Sequence, residues 1–240
     1  MTMADPGRET ADAVREDFDR IAALADEGWN HNRHYHAFLM RQLPPHGREA
    51  LDIGCGSGSF ARLLARRFDR VTAVDLSPGM IRRAGELSAD YPNIEYQTAD
   101  ILEWPWPENA YGCIASIATL HHLPMEDMLR RCAKALEPGG VLLVLDLHTS
   151  SSPADWLAGA AAVPLGAALR LLYGGGIREP RAVREAWARH GRNERYPALT
   201  QVRAVCRDVL PGAAVRRHLL WRYSIVWRKG AEAERDSAPA

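Results

Sequence analysis

The sequence predicts a doubly wound α/β domain, and two observations along its middle carry that prediction. From Ala50 to Leu145, short hydrophobic runs suited to strands alternate with amphipathic stretches suited to helices. Several of the runs are apolar throughout, as strands covered on both faces of a parallel sheet must be. Between the first run and the first helix lies LDIGCGSGSF, residues 51–60, with three glycines in five positions. A sheet of this class leaves its ligand crevice there. With 240 residues, 47% of them hydrophobic, the chain can bury one sizeable core and carry an insertion, rather than divide into two independent domains.

Each element follows from local pattern. Val14, Phe18, Ile21, Ala22 and Ala25 recur at helical spacing and predict a helix over 8–27. A second is expected over 30–43, stopped by Pro44 and Pro45. Residues 1–45 are therefore read as an N-terminal helical unit. Strands are expected at Ala50–Ile53, Val71–Val74, Ile94–Thr98, Cys113–Ile117 and Val141–Leu145. Helices are expected at Phe60–Phe68, at Pro78–Leu87 with Ser77 as N-cap, and at Met125–Leu136. Pro138-Gly139-Gly140 reads as a turn. Residues 46–150 thus form the core.

Residues 151–195 break the rhythm with an Ala-rich segment, a GGG at 174–176 and an Arg-rich stretch. They are expected as a helical cap over the ligand end of the sheet, with Trp156, Leu165, Leu169, Leu172 and Tyr173 as candidate walls of an apolar pocket. The same side chains would equally serve a homodimer contact. A helix at Thr200–Leu210 and two antiparallel edge strands within VRRHLLWRYSIVWRKG complete the core over 196–230. The stretch 231–240 is expected as a disordered tail.

Thirty basic and thirty acidic side chains give zero net charge. No global field draws the chain to nucleic acid or an anionic membrane, although residues 177–229 hold thirteen Lys or Arg against four Asp or Glu. The uncharged run from Trp156 to Leu169 is too short to span a bilayer. Cys55, Cys113, Cys132 and Cys206 show no CxxC pair or Cys/His ligand spacing and read as buried thiols. The first residues lack an apolar run behind a basic start, so a cytoplasmic location is expected.

The glycine loop narrows the chemistry. A dinucleotide fingerprint starting at Gly54 needs a third glycine where Ser59 stands, and no Gly-Lys-Ser/Thr closes a phosphate loop. Asp52–Gly58, D-x-G-x-G-x-G, instead resembles motif I of class I S-adenosylmethionine-dependent methyltransferases. Further segments resemble that family in order: VTAVD ending at Asp75, TADILEWPW around Asp100, CIASIATLHHL and ALEPGGVLLVLDL, together spanning residues 50–147. The resemblance implies a Rossmann-like, mostly parallel seven-stranded sheet with helices on both faces. It also implies S-adenosyl-L-methionine as cofactor, S-adenosyl-L-homocysteine as product, and Asp52, Gly54, Gly56, Gly58 and Ser116 around the cofactor. Asp75 would accept from the ribose hydroxyls, Asp100 would lie near the adenine amino group, and Ile101 would donate its backbone N–H to the ring. Leu76 and Met80 are candidates to sandwich that ring.

His121 and His122 follow the fourth strand, where the transferred methyl is expected to emerge, and imidazole suits proton abstraction near neutral pH. His122 is the first candidate base and His121 the second. The stretch GWNHNRHYHAF holds His31, His34 and His36, but no nearby carboxylate completes the His31/His34 spacing as a metal site, so no metal is expected. The resemblance implies that the N-terminal helices close over the cofactor, so residues 1–45 are expected as an N-terminal helical lid, with Tyr35 and His31 as candidate cofactor or acceptor contacts. The expected function is methyl transfer to oxygen, nitrogen or carbon of a small, partly apolar metabolite. An RNA or protein methyltransferase and a non-catalytic cofactor-binding subunit are the alternatives.

Overall fold

The computed structural model describes residues 6–24, 30–149, 153–174, 181–192 and 194–230. Seven strands form one sheet: β1 (Gly47–Ile53), β2 (Phe68–Asp75), β3 (Ile94–Thr98), β4 (Tyr111–Ile117), β5 (Leu136–Leu147), β6 (Ala214–Arg217) and β7 (Arg222–Arg228), in the order β3-β2-β1-β4-β5-β7-β6. The first five run parallel, and β7 is antiparallel to both β5 and β6. The two C-terminal strands are thus antiparallel as expected, but β7 lies inside the sheet and only β6 forms the edge. Chain order reverses between β1 and β4, which opens the crevice of a doubly wound sheet at that point.

Eight α-helices accompany the sheet among the described residues: α1 (Pro6–Leu24), α2 (His36–Met40), α3 (Ala61–Leu64), α4 (Pro78–Leu87), α5 (Met125–Ala135), α6 (Pro153–Gly174), α7 (Arg181–His190) and α8 (Leu199–Val209). Two cores result from the alternation of side chains along each strand. One face buries Leu51, Ile53, Ile114, Leu142 and Val144 against Met128, Leu129 and Cys132 of α5 and Val202 and Cys206 of α8. The other buries Ala50, Ala73, Cys113, Leu143 and Leu145 with Leu39, Phe60 and Leu64. All four cysteines are buried and free.

Several elements differ from their expected extents for local reasons. The helix expected over 30–43 reduces to a 3-10 turn, Arg33–Tyr35, and the short α2. Asn30 accepts from the backbone N–H groups of Asn32 (3.0 Å) and Arg33 (2.9 Å), a competing local turn that Asn favours over helix. The helix expected over 60–68 closes at Leu64. Tightened bonds from Arg66 N to Leu63 O and Arg67 N to Leu64 O then lead straight into β2. The Pro138-Gly139-Gly140 turn is absorbed as a bulge inside β5, where the pairing jumps from Tyr111↔Leu136 to Cys113↔Val141 and Gly139 takes φ +82°.

The lid and cap are built on the third cluster, Ile21, Met80 and Ala186, with Phe18 and Ala22 packed against it. It joins α1, α4 and α7. At its margin Asp19 of α1 accepts from the Ser77 hydroxyl (2.6 Å) and from Gly79 N (2.8 Å) at the start of α4. A carboxylate at a helix N-terminus satisfies donors that would otherwise be orphaned and complements the helix dipole. Burial pushes the Asp19 carboxyl up, but these two bonds and the charges of Arg82 and Arg15 outweigh it, leaving a net depression. α6 lies over the opposite flank, with Ala162 and Leu169 in the second core, and Gly159 faces the Trp221 ring. Of the expected pocket walls, Leu172 is 75% exposed and so faces outward. The side chains of Trp156 and Tyr173, Gly175 and Gly176, and residues 231–240 lie outside the described residues. No helix among the described residues is long and apolar enough to cross a membrane.

Asp19→Ala removes both lid ties while leaving the sheet untouched. Hydrogen bonds to a charged group contribute about 1.5–3 kcal/mol each. Limited trypsin digestion should therefore cut at Arg15 or Arg20 at least about 10-fold faster in the variant, with the core's urea midpoint nearly unchanged. Equal cleavage rates would show that Asp19 does not hold the lid.

Candidate active site

The crevice begins with the glycine loop. Gly54, Gly56 and Gly58 all take positive φ (+67°, +52° and +75°), a conformation natural only to glycine. Gly54 is further constrained because a Cβ there would fall inside the Thr119 side chain. Around Gly56 such an atom would meet nothing within 4 Å, so this peptide borders open space where a ligand can approach the backbone. The loop is tied to β2: Gly54 N and Cys55 N both donate to Val74 O, and Gly56 N donates to Asp75 Oδ2 (2.8 Å). Asp75 Oδ1 accepts from Ser77 N (2.9 Å). Each carboxylate oxygen still keeps a lone pair for a diol.

Beside the loop, a cavity of about 320 Å³ is lined by Leu76, Pro78, Thr98, Ala99 and Asp100 from the sheet side and by Ala11, Asp12 and Arg15 of α1. Leu76 and Asp100 therefore stand where a ring could lie between sheet and lid. Asp100 Oδ1 also caps the 3-10 turn Ile101–Glu103 by accepting from Leu102 N. Ile101 is buried in the first core. Met80 is not in the cavity lining; it packs beneath the lid with Ile21 and Ala186.

Asp52 is fully buried, and its Oδ2 has no hydrogen-bond partner. Burial, reinforced by the negative charge of Asp75, pushes its carboxyl up to about 7, against the partial help of the Ala61 N–H. The Ser116 hydroxyl, at the neighbouring end of β4, is likewise buried without a partner. Two orphaned polar atoms at the switch point, a glycine with open space and a cavity flanked by acids fit the cationic, nucleoside-bearing cofactor that the sequence implies.

β4 leads into a second cluster. Ala118 takes φ +54°, a strained conformation for a residue with a Cβ, and turns the chain into the 3-10 turn Leu120–His122. His121 Nδ1 meets Asp146 Oδ1 at 2.6 Å, and His121 N donates to Asp146 Oδ2 at 2.8 Å. Glu194, from the segment after α7, faces three imidazoles: His121 Nε2 at 3.5 Å, His122 Nδ1 at 3.3 Å and His190 Nε2 at 3.6 Å. His190 Nδ1 in turn lies 3.6 Å from Asp17 of α1. Phe18 of α1 sets its ring edge against His122 and His190. Lid, cap and β4 loop thus meet on one buried polar knot. Burial, then the neighbouring His121 and His190, push His122 down to about 3, so its ring is neutral at physiological pH. Burial holds the Glu194 carboxyl above the usual range, partly offset by His190 and His121.

The structure brings His121 and His122 together as expected and places the remaining candidates elsewhere. Tyr35 donates to Leu219 O (2.8 Å) and packs beside Cys55 and Phe60 in the second core. His31 lies against Trp221 beneath α6. His36 packs on Phe60, and burial pushes it down to about 4. The three histidines of that stretch therefore diverge. Sequence reasoning missed Asp146, His190, Glu194 and Asp17. Asp146 had a signal, a lone acid closing an apolar strand, which buried sheets admit only with a partner. His190 and Glu194 stand four apart, but nothing in the Arg-rich stretch tied them to His122. Arg222 was also missed. It is buried, donates to Asn32 Oδ1 (2.7 Å) and Leu220 O (3.1 Å), and is pushed down by burial to about 10 despite nearby Asp146.

Comparison with known proteins places this architecture. Residues 50–140 match the model of the methyltransferase-domain family. An uncharacterized methyltransferase of Mycobacterium tuberculosis is 34% identical over 207 residues, covering 85% of this chain and 98% of the relative. The 27-O-demethylrifamycin SV methyltransferase of Amycolatopsis mediterranei is 29% identical over 61% of this chain and 62% of its own length. Among solved structures, the N-methyltransferase NodS of Bradyrhizobium japonicum, in complex with S-adenosyl-L-homocysteine, superposes with a TM-score of 0.59 at 18% identity, over 92% of this chain and 98% of that one.

Asp52→Asn supplies a pH test of the acid corner. Because the folded-state carboxyl is raised from its ordinary value of 3.8 to about 7, its favourable share of stability is full below about pH 4 and is lost as pH rises through about 7, at up to ~1.4 kcal/mol per pH unit. The variant should be more stable than the parent at pH 8, by roughly 1–4 kcal/mol in urea unfolding, and should gain little at pH 4. A variant less stable at pH 8 would overturn the placement of a strained carboxyl there.

Proposed function

The chain belongs to the methyltransferase family, and from that premise we propose that it transfers a methyl group from S-adenosyl-L-methionine to a small, partly apolar metabolite in the cleft between lid and cap. The observation that carries this reading is the glycine-loop crevice at the sheet's switch point, with three left-handed glycines and the orphaned polar atoms of Asp52 and Ser116; a cavity of about 320 Å³ lined by Leu76, Thr98 and Asp100 lies at the ends of the neighbouring strands.

Asp75 would hold the ribose diol, Leu76 and Asp100 the adenine, and Asp52, Ser116 and the loop peptides the methionyl end. The cofactor, when bound, supplies a methyl already activated on a sulfonium. What remains for the protein is alignment, exclusion of water and management of the acceptor's proton, and alignment of this type can supply roughly 7–11 kcal/mol of the barrier. Phe18 and Trp187 pack edge to face where α1 meets α7. The His121–His122–Glu194 cluster stands where an acceptor hydroxyl or amine loses its proton. Asp146 fixes the His121 ring by holding Nδ1, which directs Nε2 into the cluster toward Glu194. His122, neutral and close at 4.0 Å between rings, stands beside it. A small-molecule acceptor is supported by the enclosure of the cluster, whose three members each have at most a tenth of their side-chain surface exposed. The name of the Amycolatopsis relative points to the same substrate class.

Incubation with methyl-labelled S-adenosyl-L-methionine and a size-fractionated extract tests the reading. Label is expected in the small-molecule fraction and should survive nuclease and protease. Label lost to either treatment would assign a macromolecular acceptor instead. In the same protein, Asp75→Ala should weaken S-adenosyl-L-homocysteine binding by about 1–3 kcal/mol in calorimetry. Unchanged affinity would remove Asp75 from the ribose contact.

A further inference from the structure

We propose that His121, His122 and Glu194 form a binding site for a divalent cation of the zinc type, closed by the meeting of lid and cap. The ligand atoms of the three residues lie within 4.8 Å of one another. They are the donor types that zinc takes in catalytic sites, two imidazoles and one carboxylate, with a further position left for water or substrate.

The distances favour a cation over a simple hydrogen-bond network. Hydrogen bonds between imidazole and carboxylate fall near 2.7–3.2 Å. Glu194 stands at 3.5 Å from His121 Nε2 and 3.3 Å from His122 Nδ1. Two donors bound about 2.0–2.1 Å from a tetrahedral cation are roughly 3.3–3.4 Å apart, which matches these separations. Tautomer logic agrees. With the Nδ1 hydrogen of His121 directed at Asp146, its Nε2 presents a lone pair to a carboxylate oxygen, and two lone pairs face each other stably only across a proton or a cation. The Asp146–His121 pair at 2.6 Å has the geometry by which an outer carboxylate orients a metal-binding histidine.

A second observation is independent of these distances. His122 has 10% of its side chain exposed, and its Nε2 is buried with no partner among the described residues. The polar contact of this ring is its Nδ1, 3.3 Å from Glu194, and a cation between the two atoms would anchor it. Charge balance points the same way. Arg222 partly offsets the charge of Asp146, whereas Glu194 has only imidazoles against it, and a buried acid calls for compensating positive charge. His190 lies beside the other Glu194 oxygen and would act as an outer partner or a fourth ligand.

This deepens the proposed role of the cluster by assigning how it acidifies an acceptor. Its test reads metal binding, so either proposal can fail alone. The full-length protein, stripped with chelator and then dialysed against Zn²⁺, should retain about one equivalent. Co²⁺ in its place should show the intense visible bands of a low-coordinate site. Glu194→Gln and His122→Asn should each weaken Co²⁺ binding at least roughly 10–100-fold. His46→Gln, a change at an exposed histidine paired with Asp69 on the surface, should leave it unchanged. Calorimetry with S-adenosyl-L-homocysteine on the same samples reports whether each variant is folded and whether the cofactor site is intact. If Glu194→Gln does not fold, His122→Asn and the parent's Co²⁺ spectrum decide. No retained zinc with no visible Co²⁺ bands, or uptake indifferent to both substitutions, would overturn the site and leave a proton-bridged cluster in its place.

Discussion

Two carboxylates held together in a dry corner set the terms for this fold. Asp52 and Asp75 lie near the ends of the adjacent strands β1 and β2; the negative charge of Asp75 adds to burial in raising the Asp52 carboxyl, and burial first, then Asp19, raise that of Asp75. A pair of this kind is costly unless backbone donors and a cation compensate it. The donors are present in the glycine loop, which can wrap over Asp75 only because Gly54, Gly56 and Gly58 accept positive φ. The positive charge must come from the ligand. Loop conformation and the burial of these acids are thus tied together by one electrostatic constraint.

The same logic recurs at the other end of the cleft. Glu194 and Asp146 are buried opposite three imidazoles, and the elements carrying them come from β5, the β4 loop and the cap. Asp17 and Phe18 bring the lid to the same point. None of these segments could bury its polar group alone. The cluster therefore joins α1, the segment after α7 and the β4 loop at one point, and in the proposed reading their meeting would assemble the acceptor end of the site. Asp19 adds an anchor at the start of α4, and Ala11, Asp12 and Arg15 line the cavity beside Leu76 and Asp100, so α1 touches both the cavity and the histidine cluster.

The core was legible because its signals are local. Hydrophobic runs of strand length, the N-cap Ser77 with Pro78 behind it, and the spacing of Gly54, Gly56 and Gly58 each act within a few residues. The same locality explains the misses. The stretch 30–43 has helical spacing but Asn30 captures its own backbone, which outweighs periodicity. β7 was read at the edge because pairing partners are not encoded in a strand's own pattern. His121 and His122 were singled out from their place after β4, and they face Glu194 in the cluster. Glu194 was not, since its role depends on a fold-back of 72 residues that no short pattern reports. His31 and Tyr35 looked like site residues by composition, yet their rings serve packing against Trp221 and His218.

The most direct measurement of this account is the proton balance of cofactor binding at pH 6.5, by calorimetry in buffers of different ionisation enthalpy. With the Asp52 carboxyl near 7 in the free protein, arrival of a sulfonium and an ammonium beside it should expel a proton. The measured heat should then depend on the buffer, and Asp52→Asn should abolish that dependence. Tight binding of S-adenosyl-L-methionine with heats identical in every buffer would contradict the acid corner as the seat of the cofactor's positive charge.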